Sequence, residues 1–354
     1  MTDTTVDTAR RLATIEQISN ITPIPDADLI VKARIRGWDV VVKRDEFKPG
    51  DLCVYFEVDT MLDTEDPRFA WLAPRGVRTD PITGHSGHVL RTAKLRGQYS
   101  QGLALPIASF PELSGASIGD DVAGAVGVTK WDPPLPAELS GAARGRLPSW
   151  IPVTDEERIQ NIPGILAAAD QTEWAATEKI DGTSTTFCVD PDGDYRHGVC
   201  GRTLDLIETP GNTMWRLARD MDIHALLSDE YPGQRVALQG ETYGAGIQGN
   251  PLKLKDQWFA AFTLIINRVR VPRGEWPAWI HAISVPVRGD LKFPASLAQA
   301  LTDVDGLKSV VAPGRPAEGV VWRSLFTDDV TVDGQQMRAS FKVISNKYLM
   351  KHDR

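Results

Sequence analysis

Short runs of β-branched and aromatic residues, separated by turn residues, occupy most of the first 106 positions of this chain. The clearest runs are residues 29–35, 38–43 and 52–58, and a Lys-Pro-Gly-Asp turn precedes the third. Each run has the length of one strand, and weaker runs at 88–95 and 102–105 add two more. Closely spaced short strands favour a small barrel that closes on itself, so we predict an OB-like β-barrel for this part of the chain.

Composition changes between residues 121 and 150, where glycine and proline become frequent. Such a segment is typical of a connection between domains. Beyond it, strand-like runs alternate with a few helices. The clearest helix follows Asn212, and another is predicted to begin at Thr154, where Glu157 completes a capping box. The sequence therefore predicts an α+β chain with a nucleic-acid-binding barrel over 1–120, a linker over 121–150 and a second domain over 151–354.

One short stretch, Glu178-Lys179-Ile180-Asp181-Gly182, has the features of a reactive site. Strand-like runs lead into it and away from it, so we expect the lysine at the end of a strand, with the glycine letting the backbone turn. A lysine attacks as a nucleophile only when neutral, and its ordinary pKa is about 10.4, so the site has to lower that pKa. Nearby cations, a bound metal or desolvation have this effect. Alone, a Lys-x-Asp-Gly pattern is also what a solvated turn shows.

Further polar and aromatic residues follow the lysine in a definite order, each in or beside a strand-like run. They are Arg202, Glu241, Phe262, Glu318, Lys342 and Lys347. Singly, each has an ordinary reading as a strand-end charge, a surface arginine or a core ring. Together they are the residue types that transfer of a nucleotide through a covalent lysine requires.

The chemistry assigns these residues separate tasks. The carboxylates of Glu241 and Glu318 can hold a divalent ion, Mg²⁺ or Mn²⁺, or the ribose hydroxyls. The cations of Arg202, Lys342 and Lys347 can neutralise phosphates, and the lysines can also lower the pKa of the nucleophile. The ring of Phe262 offers a face on which a purine stacks.

The ordered motifs resemble those of the covalent nucleotidyltransferase superfamily of polynucleotide ligases and capping enzymes. The stretches TDEERIQN, GETYG, EGVVWR and SFKVISNKYL look most like ATP-dependent RNA ligases. The order of the domains, with a barrel ahead of the transferase domain, is similar to that of the Deinococcus-type nick-sealing RNA ligases. The resemblance covers residues 151–354 by motif and the N-terminal part more weakly, by position and strand pattern.

This resemblance implies a ligase-type nucleotidyltransferase domain of antiparallel sheets with flanking helices. It implies that Lys179 takes AMP from ATP and passes it to an RNA 5′-phosphate. A 3′-hydroxyl then displaces the AMP, and we expect this joining to occur at nicks in duplexes. The nucleotide pocket would include Glu178, Ile180, Asp181 and Gly182. Related ligases carry Lys-x-Lys in their last motif, whereas this chain has Ile344 at the second position, which leaves open whether Lys347 takes that role.

The N-terminal part contains a basic stretch in a chain whose net charge is −8. Between residues 75 and 96 a single acidic residue, Asp80, stands among the basic residues Arg75, Arg78, Arg91, Lys94 and Arg96. An acidic total argues against a protein that coats nucleic acid but allows a local basic groove. We predict that these residues contact the phosphates of an RNA or nicked RNA-containing duplex.

Other interpretations remain for this sequence. An RNA capping enzyme or a DNA ligase would share the motifs, and a nucleic-acid-binding protein with an inactive transferase domain would share the fold. Residues 244–249 match the dinucleotide fingerprint, but Asn250-Pro251 follow where that motif needs a helix. His85 and His88 have no partner cysteine or further histidine nearby in the sequence, so we interpret them as residues of a solvated loop. The three cysteines show no paired spacing, so we interpret them as buried residues of a reducing compartment. No apolar run is long enough to cross a membrane, and we expect a cytoplasmic monomer.

Overall fold

The computed structural model describes residues 10–80, 83–131, 143–193 and 196–352. The chain divides into two compact units. The first consists of Met1–Pro134, Gln160–Pro163 and Leu349–Arg354, and the second of Leu135–Ile159 and Gly164–Tyr348.

The first unit is built from short strands. They are β1 (Ala13–Pro23), β2 (Ile30–Ile35), β3 (Trp38–Lys43), β4 (Leu52–Phe56), β5 (Thr60–Leu62), β6 (Arg78–Thr79), β7 (Ser86–Val89), β8 (Ala93–Leu95), β9 (Gln98–Ser100), β10 (Leu103–Pro106) and β11 (Thr129–Lys130). Short 3-10 helices cover Ala70–Arg75, Ile107–Ser109 and Pro111–Leu113.

The long strand β1 organises this unit because its two halves have different partners. Its first residues pair antiparallel with β4, and its last residues pair with β2 beyond an irregularity between Ile18 and Asn20. The sheet has the order β10-β4-β1-β2-β3, and its side chains Ile15, Trp38 and Phe56 are fully buried. A bend in a long first strand lets one sheet curl around its own core, as a small barrel requires.

An insertion of residues 57–102 separates β4 from β10. Within it, β5, β7 and β6 form a sheet with β11 in the order β11-β5-β7-β6, and β8 pairs with β9. The insertion occupies the connection between the fourth and fifth barrel strands, one of the connections through which OB barrels bind nucleic acids. The basic stretch between residues 75 and 96 therefore lies in the insertion and not on the barrel strands.

The second unit contains the remaining strands. They are β12 (Ala143–Arg146), β13 (Trp174–Lys179), β14 (Thr183–Val189), β15 (His197–Cys200), β16 (Leu204–Leu206), β17 (Val236–Gly244), β18 (Gln257–Ile266), β19 (Val269–Val271), β20 (Gly319–Ser324), β21 (Asp329–Val332), β22 (Gln335–Arg338) and β23 (Ser340–Ile344). The α-helices that lie wholly in this unit are α1 (Thr213–Asp220), α2 (Ile223–Glu230), α3 (Ala278–Ala282) and α4 (Leu297–Val304), and a 3-10 helix covers Arg273–Glu275. The last helix, α5 (Asn346–His352), and the 3-10 helix Pro163–Ala168 are each divided between the two units.

Two antiparallel sheets form the frame of the second unit. The larger has the order β12-β16-β15-β14-β17-β18-β19, and the smaller has the order β13-β20-β23. Helices α1 and α2 pack on the larger sheet through an apolar cluster that includes Trp215, Leu227 and Leu238. Helix α1 begins as predicted, since the Asn212 side chain accepts hydrogen bonds from the backbone N–H groups of Met214 and Trp215. The predicted α+β class, with an OB-like barrel followed along the chain by a domain of antiparallel sheets, is confirmed.

The helix predicted to begin at Thr154 is wrong. Residues 152–157 have no regular structure and run beside β23, where Ile159 N–H donates to the Lys342 carbonyl and Lys342 N–H donates to the Glu157 carbonyl. The side chain of Asp155 pairs with a lysine of β23 instead of supporting a first helical turn. A capping signal is worth about 1 kcal/mol, less than such tertiary contacts together.

Parts of the predicted linker belong to the sheets, since β11 pairs with β5 and β12 pairs with β16. The boundaries at residues 120 and 150 stay predictions about separately folding domains. Among the residues that the structure describes, no helix is long and apolar enough to cross a membrane.

Candidate active site

Strand register brings the predicted nucleophile to a carboxylate. β13 pairs antiparallel with β20, with Lys179 opposite Gly319, so Glu318 lies just before the first residue of the partner strand. The Lys179 Nζ lies 2.7 Å from Glu318 Oε1, and the two side chains are 27% and 13% exposed. The lysine is thus largely enclosed yet still reachable from solvent. The glycine opposite it is required, because a Cβ at residue 319 would lie 2.1 Å from the Val343 carbonyl oxygen.

The second carboxylate reaches the lysine from the larger sheet. β14 pairs with β17 with Ser184 opposite Glu241, which places Glu241 beside the turn that follows Lys179. The turn passes so close to β17 that a Cβ at residue 182 would lie 2.3 Å from the Thr242 carbonyl oxygen. Gly182 is therefore needed for close approach of two backbone segments, which holds Lys179 near Glu241.

Burial and the nearness of other acids raise the pKa values of both carboxyl groups. Burial raises the pKa of Glu241 to about 8, with the charges of Glu318 and Asp181 adding to the effect and Lys179 opposing it. Burial also raises the pKa of Glu318, against the pull of Lys179. Clustered carboxyl groups with shifted pKa values are typical of functional sites.

The predicted lowering of the Lys179 pKa is wrong for this arrangement of charges. Burial lowers the pKa of Lys179, but the carboxylates of Glu318 and Glu241 outweigh burial, so the pKa is raised. The cations that were expected to lower it are engaged elsewhere: Lys342 Nζ lies 2.7 Å from Asp155, and Lys347 Nζ lies 3.8 Å from Asp305.

Acidic side chains outnumber cations around Lys179, and a divalent cation would offset this excess of negative charge. Within the described ranges, the buried Oε2 of Glu318 has no hydrogen-bond partner. No group of three or more His, Cys, Asp or Glu side chains within those ranges forms a ready-made metal cage. Mg²⁺ and similar ions take carboxylate oxygens and commonly use only one or two of them, together with water and substrate phosphates. The donors of Glu241 and Glu318 therefore suit such an ion.

Other residues of the lysine stretch are fixed by distinct contacts. The Asp181 Oδ2 accepts a hydrogen bond from the Tyr348 hydroxyl at 2.7 Å. Both oxygens of the buried Glu178 are engaged, one by the Ser309 hydroxyl at 2.5 Å and one by the Val310 N–H at 2.6 Å. These bonds hold the residues on either side of the nucleophile in place.

The predicted stacking residue lies close to the lysine loop. Ile180 is buried in an apolar cluster with Tyr243 and Ala260, and the half-buried Phe262 packs against this cluster. On the ring of Phe262 lies the guanidinium of Arg323, with its central carbon 5.3 Å from the ring centroid. The ring therefore already carries one flat cationic partner.

Two of the predicted phosphate ligands meet at one carboxylate. The Lys342 Nζ lies 2.7 Å from Asp155 Oδ1, and an Arg202 nitrogen lies 3.1 Å from Asp155 Oδ2. Lys347 does not share this contact: it projects from α5 and is 65% exposed, whereas Lys342 is 12% exposed. Ile344, at the position where related ligases have a second lysine, is buried.

Sequence reasoning missed Asp155 and Glu156, which it assigned to a helix. Glu156 lies in an arginine cluster, where it contacts Arg323 at 2.5 Å and Arg338 at 3.0 Å. Burial raises the pKa of Glu156, but Arg338 and Arg323 outweigh burial and the pKa falls to about 2. The sequence did contain a signal for these two residues, because they are adjacent acids in the TDEERIQN stretch on which the resemblance partly rests.

The basic residues of the first unit are exposed or half-buried and lie on two pieces of the insertion. Arg75 and Arg78, near the edge strand β6, stack on Trp71 and Trp131 at 5.5 and 5.4 Å from the ring centroids. In the β8–β9 hairpin, Lys94 lies 5.1 Å from the Tyr99 ring centroid and Arg96 adopts a positive φ of 49°. Arg91, just before that hairpin, is half-buried.

Comparison with known proteins agrees with both units. An RNA ligase family model matches residues 172–344, and an OB-fold domain model matches residues 12–107. A mutant Naegleria gruberi RNA ligase in its apo form is 37% identical, with a TM-score of 0.84, over 98% of this chain and 99% of its own. No curated protein sequence matches the chain.

Two further structures of the Naegleria gruberi enzyme carry ligands. One, with PPi, is 38% identical with a TM-score of 0.83 over 98% of this chain and 100% of its own. The other, a mutant with ATP and Mn, is 36% identical with a TM-score of 0.82 over 97% and 99%. The two domain matches and the identity of 37% over nearly the whole chain show that the class is that of the polynucleotide ligases. The chain belongs to the RNA ligase family.

Proposed function

We propose that this chain is an ATP-dependent RNA ligase that joins an RNA 3′-hydroxyl to a 5′-phosphate at nicks in duplexes. The observation that carries the proposal is the lysine of β13, held 2.7 Å from Glu318 and beside Glu241 at the meeting of two sheets. A lysine placed this way is suited to covalent catalysis. The ATP and manganese in a structure of the Naegleria gruberi relative support ATP and a divalent ion as its requirements.

The proposed reaction has three steps. The neutral Lys179 Nζ attacks the α-phosphorus of ATP, a nitrogen–phosphorus bond forms, and pyrophosphate leaves. The AMP then passes to the RNA 5′-phosphate, which frees the lysine. The 3′-hydroxyl finally attacks that phosphate, and AMP leaves as the phosphodiester bond forms. Glu318 is placed to hold the proton that the lysine gives up, since its Oε1 already contacts Nζ.

The surrounding side chains suit the parts of the nucleotide. Phe262 offers its ring to the base, while Asp181 and Gly182 shape the ribose and phosphate side. Lys342 and Arg202 face one shared carboxylate and are placed to bind phosphate oxygens in its stead. A divalent cation at Glu241 and Glu318 would offset their charge and lower the pKa of Lys179.

The proposal divides the work between regions of the chain. Residues 151–354 carry the nucleotide chemistry, and the barrel with its insertion holds the RNA. In the insertion, Arg75, Arg78 and Lys94 lie over aromatic rings. Surfaces that combine cations and rings bind nucleic acids through phosphate contacts and base stacking.

The test is to incubate the protein with α-labelled ATP and a divalent metal, then denature it. A labelled protein band is expected with ATP and a much weaker one with GTP. Nicked duplexes with RNA or DNA at the 3′-hydroxyl end should then be compared with single-stranded RNA. Sealing should need RNA at the 3′ side and should favour the nick. Absence of a labelled band with either nucleotide would sink the proposal, and a band with GTP alone would indicate a capping activity.

A further inference from the structure

The carboxylate of Asp155 lies where the phosphates of a nucleotide are expected. Its Oδ1 contacts Lys342 Nζ at 2.7 Å, and its Oδ2 contacts the Arg202 guanidinium at 3.1 Å. Each oxygen is thus paired with one cation, in the manner of a phosphate bound between a lysine and an arginine. We propose that Asp155 is a positioning residue that holds these two cations in readiness and competes for them with the polyphosphate of the nucleotide. This inference rests on the proposed function, because it takes Lys342 and Arg202 as phosphate ligands.

The segment that carries Asp155 is held by hydrogen bonds on both sides. On one side, Gln239 Nε2 donates to the Pro152 carbonyl at 2.8 Å, and the Thr154 and Ser184 hydroxyls lie 2.6 Å apart. On the other side, the segment pairs with the backbone of Lys342. Between these anchors the chain has no regular structure, and the Asp155 side chain is 27% exposed. The proposal requires only that the side chain rotate while these backbone contacts stay in place.

The neighbouring residue shows what a purely structural carboxylate looks like here. Glu156 is 10% exposed and lies between Arg323 and Arg338, and the Ser340 hydroxyl also donates to it. Its partners belong to the strands around it and are not among the predicted phosphate ligands. Asp155 differs because both of its named cationic partners are expected to bind the substrate.

Competition has two consequences for the reaction. The carboxylate weakens the binding of ATP, because the nucleotide has to displace it before its phosphates reach Lys342 and Arg202. After AMP has moved to the lysine, the same carboxylate can retake the cations and so help pyrophosphate leave. Asp155 would thus trade affinity for turnover.

The decisive variant is Asp155→Asn, which keeps the shape of the side chain and removes its charge. Binding of inorganic tripolyphosphate to the full chain, measured by calorimetry, should tighten roughly tenfold, the effect of one lost charge-assisted competitor. In the adenylation reaction the KM for ATP should fall by a similar factor, and inhibition by added pyrophosphate should strengthen. A support role for Asp155 would give the opposite result, with weaker tripolyphosphate binding and a higher KM, and would overturn the proposal.

Two controls and one substitute variant keep the result interpretable. Asp155→Glu retains the charge and should bind tripolyphosphate as the natural protein does, within about twofold. Asp229→Asn makes the same chemical change at an exposed site on α2 and should leave binding unchanged. If Asp155→Asn fails to fold, Asp155→Ser tests the same loss of charge with a smaller side chain. Since tripolyphosphate binding needs no covalent chemistry, it reports on Asp155 even if Lys179 forms no adduct.

Discussion

The lysine pocket and the basic insertion hold their cations in opposite ways. In the pocket, Lys179 is enclosed and paired with a carboxylate at 2.7 Å. In the insertion, Arg75 and Arg78 are exposed and lie over tryptophan rings. A cation enclosed with acids is fixed in direction, whereas a cation on a ring keeps most of its hydration and most of its freedom.

This difference matches the two tasks of a ligase. Attack on one phosphorus atom requires a group held in one geometry before the substrate arrives. Contact with an RNA backbone requires charges that adjust to many sequences and release their counterions on binding. The contrast predicts that changes in the pocket affect one chemical step severely, and that changes in the insertion affect RNA binding mildly and in a salt-dependent way.

The largest effect is expected from Lys179→Ala. Without the nucleophile no lysine–AMP adduct can form, so labelling by α-labelled ATP should vanish and ligation from ATP should stop. A strand that is already adenylylated should still be sealed, because that step no longer needs the lysine. Lys255→Ala, at an exposed position of the same unit, is the matched control and should label normally. Persistence of the adduct in Lys179→Ala would place the nucleophile elsewhere.

The second effect separates the two C-terminal lysines. Lys342→Ala should slow adenylation by about 10²–10³, the usual cost of losing one preorganised charge on a transferring phosphoryl group. Lys347→Ala should cost less than about fivefold, because this side chain is 65% exposed and pairs with Asp305. Single-turnover labelling rates at saturating ATP measure both. Equal and severe losses would show that Lys347 takes over the position filled by Ile344.

The third effect concerns stability. Glu156→Gln leaves the guanidinium groups of Arg323 and Arg338 without their shared carboxylate and should lower the free energy of unfolding by about 3 kcal/mol. Because the pKa of Glu156 is lowered to about 2 from its ordinary 4.5, its contribution is complete above pH 4.5 and lost as the pH falls toward 2. Denaturant unfolding at pH 7 and pH 3 measures this, with the exposed Glu173→Gln as control. An equal loss at both pH values would contradict the assignment.

The smallest effect is expected in the insertion. Arg75→Ala and Arg78→Ala should each weaken binding of a nicked duplex only a few-fold at moderate salt. Each should also reduce the slope of log affinity against log salt by about one, as loss of one phosphate contact does. Lysine labelling by ATP should be unchanged. Arg219→Ala on α1, an exposed arginine paired with Glu208, is the control and should leave the slope as it was.

Much of the fold could be predicted because its strands carry local signals. The runs that became β2, β3 and β4 are bounded by turn residues, and Asn212 caps α1 as its sequence position indicates. The sequence likewise named Lys179, Glu241 and Glu318 as candidates for one site, and the structure brings them together. Each of them lies in or beside a run that became a strand, and periodicity indicates such runs.

The contacts that depend on distant partners could not be predicted. Thr154 and Glu157 carry a helix signal, but hydrogen bonds to the backbone of Lys342, almost two hundred positions away, decide their conformation. The raised pKa of Lys179 likewise results from carboxylates that approach from two sheets. The order of residues in the sequence indicated which charged side chains belong to the site. It did not indicate which of them form ion pairs with one another.

The two tight glycines of the site limit how this pocket can be re-engineered. At residue 182 and at residue 319, a single added carbon would collide with a carbonyl oxygen of the neighbouring strand. The backbone around the nucleophile therefore accepts no residue larger than glycine at these two positions. A change of nucleotide preference has to come from side chains on the wall of the pocket, such as Phe262, which is half-buried in β18. Libraries aimed at a new nucleotide preference should vary such side chains and keep both glycines.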